Sequence, residues 1–476
     1  MNIKHQSTKI VATLGPACSE EEQLKDLIRA GADILRLNFS HGNHEDKKTV
    51  VERITKINSD HNLNIGILAD LQGPKLRVGE MKDGGQPVKS GDIITFTSEK
   101  CIGTSEKAYM SYLSFAQDVA KGEKVLCDDG KLVFEVVETD GEKNVKLKAL
   151  FGGVLKSNKG VNLPDTKISL PSLTKKDRED LAFILTLPVH WIALSFVREA
   201  KDIIELKELI KAENHLAKVI AKIEKPEAVK NIKEIIKETD AIMVARGDLG
   251  VEVPLEKLPY IQKSIIRKCI QKAKPVIVAT QMMESMITNP SPTRAEVADV
   301  ANAVLDGTDA VMLSGETSVG DHPTLVVETM SKIIADAEKH YELQDKRPKP
   351  NRGSETFYSD MICISASKIA EDVRANALCG VTVTGYTAFK LASYRPSARI
   401  FIFSSVREIL PTLSLIWGVK PFYYDKFEST DGTIADIEVI LKERGHLKIG
   451  DTMVNTGSMP LYKRFRSNML KITIVE

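Results

Sequence analysis

Runs of consecutive apolar residues alternate with amphipathic segments over most of the chain. The apolar runs predict strands buried on both faces, and the segments between them carry apolar residues at helical spacing. Eight such strand–helix units are predicted. They favour an α/β fold, a (β/α)8 TIM barrel, with an open doubly wound sheet as the alternative. The predicted strands cover residues 8–15, 34–40, 65–71, 191–196, 217–223, 241–245, 275–280 and 310–313, and the helices include 20–30, 44–58, 226–238 and 255–273.

Between residues 73 and 166 the pattern changes to short strands in which apolar and polar residues alternate. Asp-Gly pairs at 83–84, 129–130 and 140–141 supply hairpin turns beside these strands. The change predicts a small β-barrel lid domain inserted into the larger fold. The stiff junctions Gly73-Pro74 and Leu163-Pro164 are expected to act as its hinges.

A linker rich in Lys and Pro at 346–350 precedes a third block of helices and strands. It predicts a separate α/β domain, in which a helix at 359–373 is followed by a strand at 381–384. We therefore predict three domains. The barrel occupies 1–72 and 167–346, the lid 73–166, and the C-terminal α/β domain 351–476.

The chain of 476 residues carries 66 basic and 65 acidic residues, a formal net charge of +1. This balance gives no overall field to attract nucleic acid or a membrane, so neither is expected as a partner. The six cysteines are scattered without a Cys-x-x-Cys pair, which argues against zinc and disulfides and fits a reducing cytoplasm. No signal peptide is expected, and no apolar run reaches the roughly 18 residues of a membrane helix.

Polar residues of chemical interest follow six of the eight predicted barrel strands. The carboxyl ends of barrel strands form the active face, so these side chains are expected to converge there, beneath the inserted domain. After the sixth strand, Asp248 is expected in a turn flanked by glycines. The residues are Arg36, Asn38, Ser40 and His41 after the second strand, Asp70 after the third, Lys222 and Glu224 after the fifth, Arg246, Gly247 and Asp248 after the sixth, Thr280 and Gln281 after the seventh, and Ser314 and Glu316 after the eighth.

The charges in this set indicate a metal and a phosphoryl group. Lys222 and Glu224 are two residues apart, which places them on the same side of a strand. Two carboxylates, Glu224 and Asp248, suit Mg²⁺, and two cations, Arg36 and Lys222, suit a phosphoryl group. The chain has no Gly-x-x-x-x-Gly-Lys-Ser/Thr loop and no Gly-x-Gly-x-x-Gly, which excludes P-loop, Rossmann and protein-kinase sites. These residues predict metal-assisted chemistry on a small phosphorylated acid, and they leave the reaction open.

Eight motifs, in order and spread over nearly the whole chain, resemble those of the pyruvate kinase family. They are RLNFSHG at 36–42, DLQGPKLR at 70–77, KGVNLP at 159–164, KIE at 222–224, ARGDLG at 245–250, ATQMMESM at 279–286, PTRAE at 292–296 and LSGET at 313–317. The resemblance implies a phosphotransferase that moves phosphate from phosphoenolpyruvate to ADP, giving pyruvate and ATP in the last step of glycolysis. It also implies Mg²⁺ or Mn²⁺ as cofactor, an allosteric C-terminal domain and a homotetramer.

The resemblance also implies a role for each matching residue. Glu224 and Asp248 match the Mg²⁺ ligands, and Lys222 matches the residue that stabilises the phosphoryl group in transfer. Arg36 matches a phosphate-positioning residue. Thr280 and the backbone of Gly247 and Asp248 match the site that binds the substrate carboxylate. Thr280, Ser314 and Glu316 match the network that protonates the enolate. The residues that match the nucleotide contacts are Asn38, His41, Arg77 and Lys159.

The family's monovalent-cation site matches Asn38, Ser40, Asp70 and the carbonyl of Leu71. Many members have Glu at the position of Lys75, and in the family Lys at that position goes with independence of K⁺. The chain therefore resembles the bacterial type with Lys near this site. We expect activity without K⁺, because an ammonium carries the charge of the ion.

A loop in the C-terminal domain is similar to the family's sugar-phosphate effector loop. Its residues are Thr382, Thr384, Gly385 and Thr387, and hydroxyls with backbone amides at a helix start favour phosphate. The loop 457–460 lacks the Trp and Arg that some members use for the second phosphate of fructose 1,6-bisphosphate, although the basic run 463–466 is a candidate replacement. We therefore expect a monophosphate effector, such as a sugar monophosphate or AMP.

Two other functions are considered. An aldolase or lyase barrel that handles phosphoenolpyruvate or pyruvate would use the same metal carboxylates without needing the lid or ADP contacts. A non-catalytic binding protein is disfavoured, because Lys222, Glu224, Asp248 and Thr280 are all present.

Overall fold

Eight parallel strands close into a barrel in the computed structural model, which describes residues 6–341, 348–427, 429–460 and 466–476. Each strand pairs with its neighbours in chain order, and the eighth pairs with the first. The predicted TIM barrel is confirmed, and the open doubly wound sheet is wrong. In chain order, the first to eighth barrel strands are Lys9–Thr13, Ile34–Asn38, Gly66–Asp70, Trp191–Leu194, Lys218–Ile223, Ala241–Ala245, Val276–Ala279 and Ala310–Leu313.

Helices surround the barrel and bury their apolar faces against the strands. Leu24, Leu27 and Ile28, spaced for one face of the first helix, are all buried. The helix predicted over 226–238 is two helices, because regular structure stops at Asn231. The α-helices are Glu21–Ala30, His44–His61, Lys175–Ile184, Ala200–Ala212, Pro226–Lys230, Ile232–Glu238, Arg246–Glu252, Leu258–Gln271, Arg294–Leu305, Gly315–Ser318 and Pro323–Ala337, and the 3₁₀ turns are Leu255–Lys257, Glu284–Ile287 and Glu338–His340.

A separate β unit, which we call the insert, follows the third barrel strand. It consists of a six-stranded and a two-stranded sheet around its own core, which includes Phe96 and Phe134. Alternation predicted the strands that the structure places at Ile93–Thr97, Lys124–Cys127, Leu132–Thr139 and Asn144–Phe151. The other four strands, of two to four residues each, were not predicted. The strands are Gly85–Val88, Ile93–Thr97, Lys107–Tyr109, Lys124–Cys127, Leu132–Thr139, Asn144–Phe151, Gly153–Lys156 and Val161–Asn162, with a 3₁₀ turn at Lys82–Gly84 and a helix at Phe115–Asp118.

The C-terminal part is an α/β unit with a five-stranded sheet, parallel except for its last strand. The strand predicted at 381–384 is wrong, because Ala377–Val381 forms the strand instead. The first four residues of this strand are buried, as expected in a sheet covered on both faces. After the strand, the Thr382 hydroxyl accepts the Gly385 N–H at 3.0 Å in a turn. The other strands are Arg399–Ser404, Val419–Tyr423, Thr452–Gly457 and Met469–Ile474, the α-helices are Phe357–Asp372, Tyr386–Ser393, Leu410–Leu413 and Thr430–Glu443, and a 3₁₀ turn spans Arg407–Ile409.

The C-terminal unit packs against the amino ends of the barrel strands. Leu415 is fully buried in the cluster that fills the barrel interior, beside Trp191. The Trp191 indole N–H donates to the Thr412 carbonyl at 3.2 Å, and buried Arg395 lies 3.1 Å from Asp309. The C-terminal unit thus covers one mouth of the barrel and leaves the carboxyl ends of the strands to face the insert.

Among the described residues, every helix lacks either the length or the apolar character that crossing a bilayer requires.

Leu415→Ala should lower the free energy of unfolding by about 2–5 kcal/mol, because it leaves a cavity in the barrel interior. Urea unfolding followed by tryptophan fluorescence measures the change. Leu216→Ala, at a leucine that is 62% exposed, is the control and should have little effect. Equal effects of the two substitutions would contradict the packing described here.

Candidate active site

Lys222, at the end of the fifth barrel strand, lies at the centre of a buried charged cluster. Its ammonium is 3.0 Å from a Glu224 oxygen, 3.2 Å from an Asp70 oxygen and 2.7 Å from the Ser195 hydroxyl. Burial disfavours the ammonium, but the charges of Asp70 and Glu224 outweigh burial and raise the pKa of Lys222 above its usual value. Lys222 is therefore a fixed cation on the carboxyl face of the barrel.

Asp70 joins Lys222 to the second cation of the cluster. The Arg36 guanidinium contacts one oxygen of Asp70 through Nε at 2.7 Å and Nη2 at 2.6 Å, while Lys222 contacts the other oxygen. Arg36 also donates to the Thr13 hydroxyl at 2.8 Å. Burial alone would raise the pKa of Asp70, but Lys222 and Arg36 hold it below its usual value. Asp70 is thus an ionised carboxylate that orients both cations.

Glu224 and Asp248 supply carboxylates beside this cluster. Glu224 is buried and accepts the Phe196 N–H at 2.7 Å. Its pKa is raised, first by burial and then by the charge of Asp248, with Lys222 opposing. A second carboxylate whose charge acts on buried Glu224 fits a divalent cation between the two. No group of three or more His, Cys, Asp or Glu within the described residues could hold a metal, so water or substrate oxygens would complete the shell.

The turn predicted around Asp248 is wrong, because the helix Arg246–Glu252 begins directly after the sixth strand. Leu249 and Glu252 are buried, and these tertiary contacts outweigh the low helix propensity of the two glycines. The Gly247 N–H donates to the Thr280 hydroxyl at 2.7 Å, which joins the ends of the sixth and seventh strands.

Thr280 and Gln281 have left-handed backbone angles, with φ of 70° and 54°. Such angles are strained for residues with side chains and need support from the surroundings. Arg246 supplies it, since its guanidinium donates to the Thr280 carbonyl at 2.7 Å and pairs with Asp299 at 2.7 Å. This supporting role of Arg246 could not be predicted, because its position at a strand end does not show that it contacts Thr280 and Asp299.

Ser314 and Glu316 lie where the eighth strand ends. The buried Glu316 carboxylate accepts the backbone N–H groups of Ser314 at 2.6 Å and Met283 at 3.2 Å. Glu316 therefore ties the loop after the seventh strand, which begins at Thr280, to the segment after the eighth strand.

A cleft of about 230 Å³ separates the barrel from the insert. Arg77 and Lys159 line it from the insert, and Asp248 lines it from the barrel. Lys159 pairs with Asp128 at 2.8 Å, and Arg77 donates to the Asn158 carbonyl at 2.8 Å. Two of the four predicted nucleotide contacts therefore line one cleft, and Asp248, a predicted metal ligand, lines the same cleft.

The other two predicted nucleotide contacts, Asn38 and His41, line a neighbouring cavity of about 620 Å³. His41 is exposed at its surface. The pKa of His41 is lowered by partial burial and then by the positive charges of Lys75 and Arg77. Lys75 and Arg77, which line the cleft, thus also act on His41 in the adjoining cavity.

The residues predicted to hold a monovalent cation lie around the second and third strand ends. The Asn38 side chain accepts the Ser40 N–H at 3.0 Å, and the Leu71 carbonyl accepts the Ser195 hydroxyl at 2.7 Å. Lys75 is exposed and lines the cleft. Sequence reasoning missed Ser195, although it follows the fourth strand and the same strand-end rule would have found it.

Three of the four C-terminal loop residues predicted to bind an effector line a pocket of about 330 Å³. Thr382, Thr384 and Thr387 line it together with Arg466. Gly385 has a φ of 86°, which suits glycine at this turn. Of the basic run 463–466, Arg466 is described and residues 463–465 lie outside the described residues.

A closed (β/α)8 barrel whose strand ends gather a buried charged cluster has the architecture of a barrel enzyme. Family models agree: "Pyruvate kinase, barrel domain" matches residues 5–327, and "Pyruvate kinase, alpha/beta domain" matches residues 360–473. The chain belongs to the pyruvate kinase family and is a phosphotransferase.

Similar proteins span nearly the whole chain. The pyruvate kinase of Clostridium perfringens is 40% identical over 98% of this chain and 99% of its own length. That of Geobacillus stearothermophilus is 41% identical over 99% of this chain and 80% of its own length. A solved structure of a pyruvate kinase from Cryptosporidium parvum superposes with a TM-score of 0.92 at 35% identity, covering 99% of this chain and 96% of that one.

Asp70→Asn should destabilise the protein by about 3–5 kcal/mol, because it leaves Arg36 and Lys222 without their shared buried counter-charge. Urea unfolding measures the loss. The control is Asp336→Asn, which removes an exposed ion pair with Lys339 and should have a small effect. An Asp70→Asn variant as stable as the control would contradict the central role of Asp70.

Proposed function

We propose that the protein transfers the phosphoryl group of phosphoenolpyruvate to ADP in the cytoplasm, forming pyruvate and ATP in the last step of glycolysis. The observation that carries the proposal is the largely buried Lys222 side chain, 12% exposed, whose ammonium is held between Asp70 and Glu224 on the carboxyl face of the barrel. Family membership supports the same reaction. The balanced reaction takes up one proton, because the enolate left by the phosphoryl group becomes the methyl group of pyruvate.

Lys222 and Arg36 act on the phosphoryl group in this proposal. Phosphoryl transfer depends mainly on positioning and on stabilising negative charge, so two fixed cations are the required groups. Asp70 holds both in place with contacts of 2.6 to 3.2 Å. Because these contacts exist before substrate binds, little reorganisation is needed during the reaction.

Glu224 and Asp248 are the proposed ligands of Mg²⁺ or Mn²⁺. The metal, when bound, supplies positive charge to the carboxylate and phosphoryl oxygens of the substrate. Glu224 is prepared for this role by burial and by the hydrogen bond from Phe196. Burial and then the charge of Asp248 raise the pKa of Glu224, and a bound divalent cation would oppose both effects.

Thr280 and Gly247 are proposed to hold the substrate carboxylate, with the backbone of Asp248. Their hydrogen bond and the support from Arg246 fix the strained loop that follows the seventh barrel strand. Glu316 and Ser314 lie on the adjoining loop. We assign Thr280, Ser314 and Glu316 to the network that delivers the proton to the enolate.

The insert is proposed to close over ADP as a lid. Arg77 and Lys159 line the cleft with positive charge, and His41 and Asn38 border the adjoining cavity. Closure would exclude water and so favour transfer to ADP over hydrolysis. The proposed domains are 1–72 with 167–346, 73–166, and 351–476, and the proposed assembly is a homotetramer.

Pyruvate formation from phosphoenolpyruvate should require both ADP and a divalent metal. A colorimetric assay of pyruvate with ADP, without ADP, and with a chelator measures this requirement. ADP-independent pyruvate formation would contradict the proposal and favour a lyase or hydrolase. Absence of turnover under all conditions would favour a binding protein.

Lys75 is proposed to replace the monovalent cation. The family site at Asn38, Ser40, Asp70 and Leu71 would then need no K⁺ for activity. Lys75 is four residues from Leu71, and its charge acts on His41, which directly follows Ser40 of the same site.

Activity in buffer free of Na⁺ and K⁺ should therefore approach that in K⁺ buffer, and Lys75→Glu should make activity depend on K⁺. Initial rates across a K⁺ titration measure both effects. Lys82→Glu, at another exposed lysine, should leave the titration flat. A many-fold activation of the unmodified enzyme by K⁺ would contradict the proposal.

The pocket around Thr382, Thr384, Gly385 and Thr387 is proposed to bind a phosphorylated effector that regulates activity allosterically. Hydroxyls, Arg466 and the amino end of the helix Tyr386–Ser393 favour a phosphate there. A monophosphate is the proposed ligand.

A sugar monophosphate or AMP should raise or lower activity at low phosphoenolpyruvate, and Thr384→Val should abolish the response. Rates across an effector titration measure it. The control is Thr329→Val, on a barrel helix, where the lost hydroxyl donates to the Leu325 carbonyl. This variant should retain the response. A selective response to fructose 1,6-bisphosphate would contradict the monophosphate proposal.

A further inference from the structure

Lys225 and Glu252 form an ion pair that is almost fully buried beside the charged cluster. The ammonium lies 2.7 Å from one carboxylate oxygen, and the side chains are 6% and 1% exposed. Removing two charges from water is costly unless their geometry is good. Neither Lys225 nor Glu252 takes part in the proposed reaction, so the cost of burying the pair points to another role.

Each partner lies next to a proposed metal carboxylate. Lys225 directly follows Glu224 at the end of the fifth barrel strand. Glu252 is four residues after Asp248 in the helix Arg246–Glu252, so the two lie on one face, one turn apart. The ion pair therefore ties the segment that carries Glu224 to the helix that carries Asp248.

The insert contacts the same carboxylate. The Asn162 amide, in the strand Val161–Asn162, donates to the Glu252 oxygen that Lys225 contacts, at 2.8 Å. The second Glu252 oxygen is buried and has no hydrogen-bond partner among the described residues. One oxygen thus joins two barrel elements and the insert, at the wall of the cleft.

We propose that Lys225 and Glu252 are positioning residues: their ion pair sets the separation of Glu224 and Asp248, and the bond from Asn162 couples the insert to that separation. The proposal rests on the proposed function, because it takes the two carboxylates to be the ligands of a divalent metal. Two like charges repel each other, so a scaffold that holds them at a set distance improves metal affinity. Groups that orient metal ligands without touching the metal often change affinity strongly.

Mn²⁺ binding to the full-length enzyme without substrate or nucleotide tests the first part. Electron paramagnetic resonance should show affinity weakened about tenfold or more in Glu252→Gln. The matched control is Asp309→Asn, which breaks the equally buried pair with Arg395 at the opposite mouth of the barrel and should leave affinity unchanged. The double variant K225M/E252Q removes both charges together, avoids an unpaired buried ion, and should also bind Mn²⁺ weakly.

Unchanged affinity in Glu252→Gln or in the double variant would overturn the proposal. An equal loss in Asp309→Asn would also overturn it, because the effect would then be general destabilisation. If the unmodified enzyme binds no Mn²⁺, the metal site of the proposed function fails instead. These outcomes separate the failure of the positioning role from the failure of the function.

Asn162→Ala tests the coupling to the insert, because it leaves the Lys225–Glu252 pair in place. Mn²⁺ should slow hydrogen–deuterium exchange in the insert strands of the unmodified enzyme and have a smaller effect in Asn162→Ala. The variant should also raise KM for ADP more than it lowers kcat. Equal slowing by Mn²⁺ in both proteins would overturn the coupling.

Discussion

The buried carboxylate of Asp70 holds the two cations on which the site depends. One oxygen receives Arg36 and the other receives Lys222, so a single side chain fixes the direction of both positive groups. Asp70 ends the third barrel strand, between the second and fourth strands, so the barrel itself fixes the carboxylate. Lys222 in turn contacts Glu224, and through it the cluster reaches the proposed metal ligands. Barrel closure, charge pairing and proposed chemistry are thus linked through one residue.

Most of the barrel could be predicted from the sequence because its strands are continuous apolar runs of usual length. The strand Ala241–Ala245 occurs at the predicted residues. The interruption at Asn231 could not be predicted, since apolar spacing continues across it. The strand Ala377–Val381 was missed because it contains no β-branched residue before Val381. The threonines that follow it are typical of a strand, but they lie in a turn.

The candidate site was predictable as a set of strand ends but not as a set of contacts. The position of Lys222 could be inferred from a period of two residues. The Arg246 guanidinium, by contrast, supports the carbonyl of Thr280, a residue distant in sequence. The pairing of Lys225 with Glu252 likewise joins residues on different elements. Such partners follow from tertiary packing, which a single sequence does not display.

Lys222→Met tests the central claim most directly, because Lys222 is proposed to stabilise the transferring phosphoryl group rather than to bind substrate. Steady-state rates and equilibrium binding of phosphoenolpyruvate should be measured together, with Lys207→Met as a control lysine that pairs with Asp240 outside the cluster. The account predicts that kcat falls by at least about a hundredfold while phosphoenolpyruvate affinity changes little. An unchanged kcat, or a loss of affinity that accounts for the whole loss of activity, would contradict it.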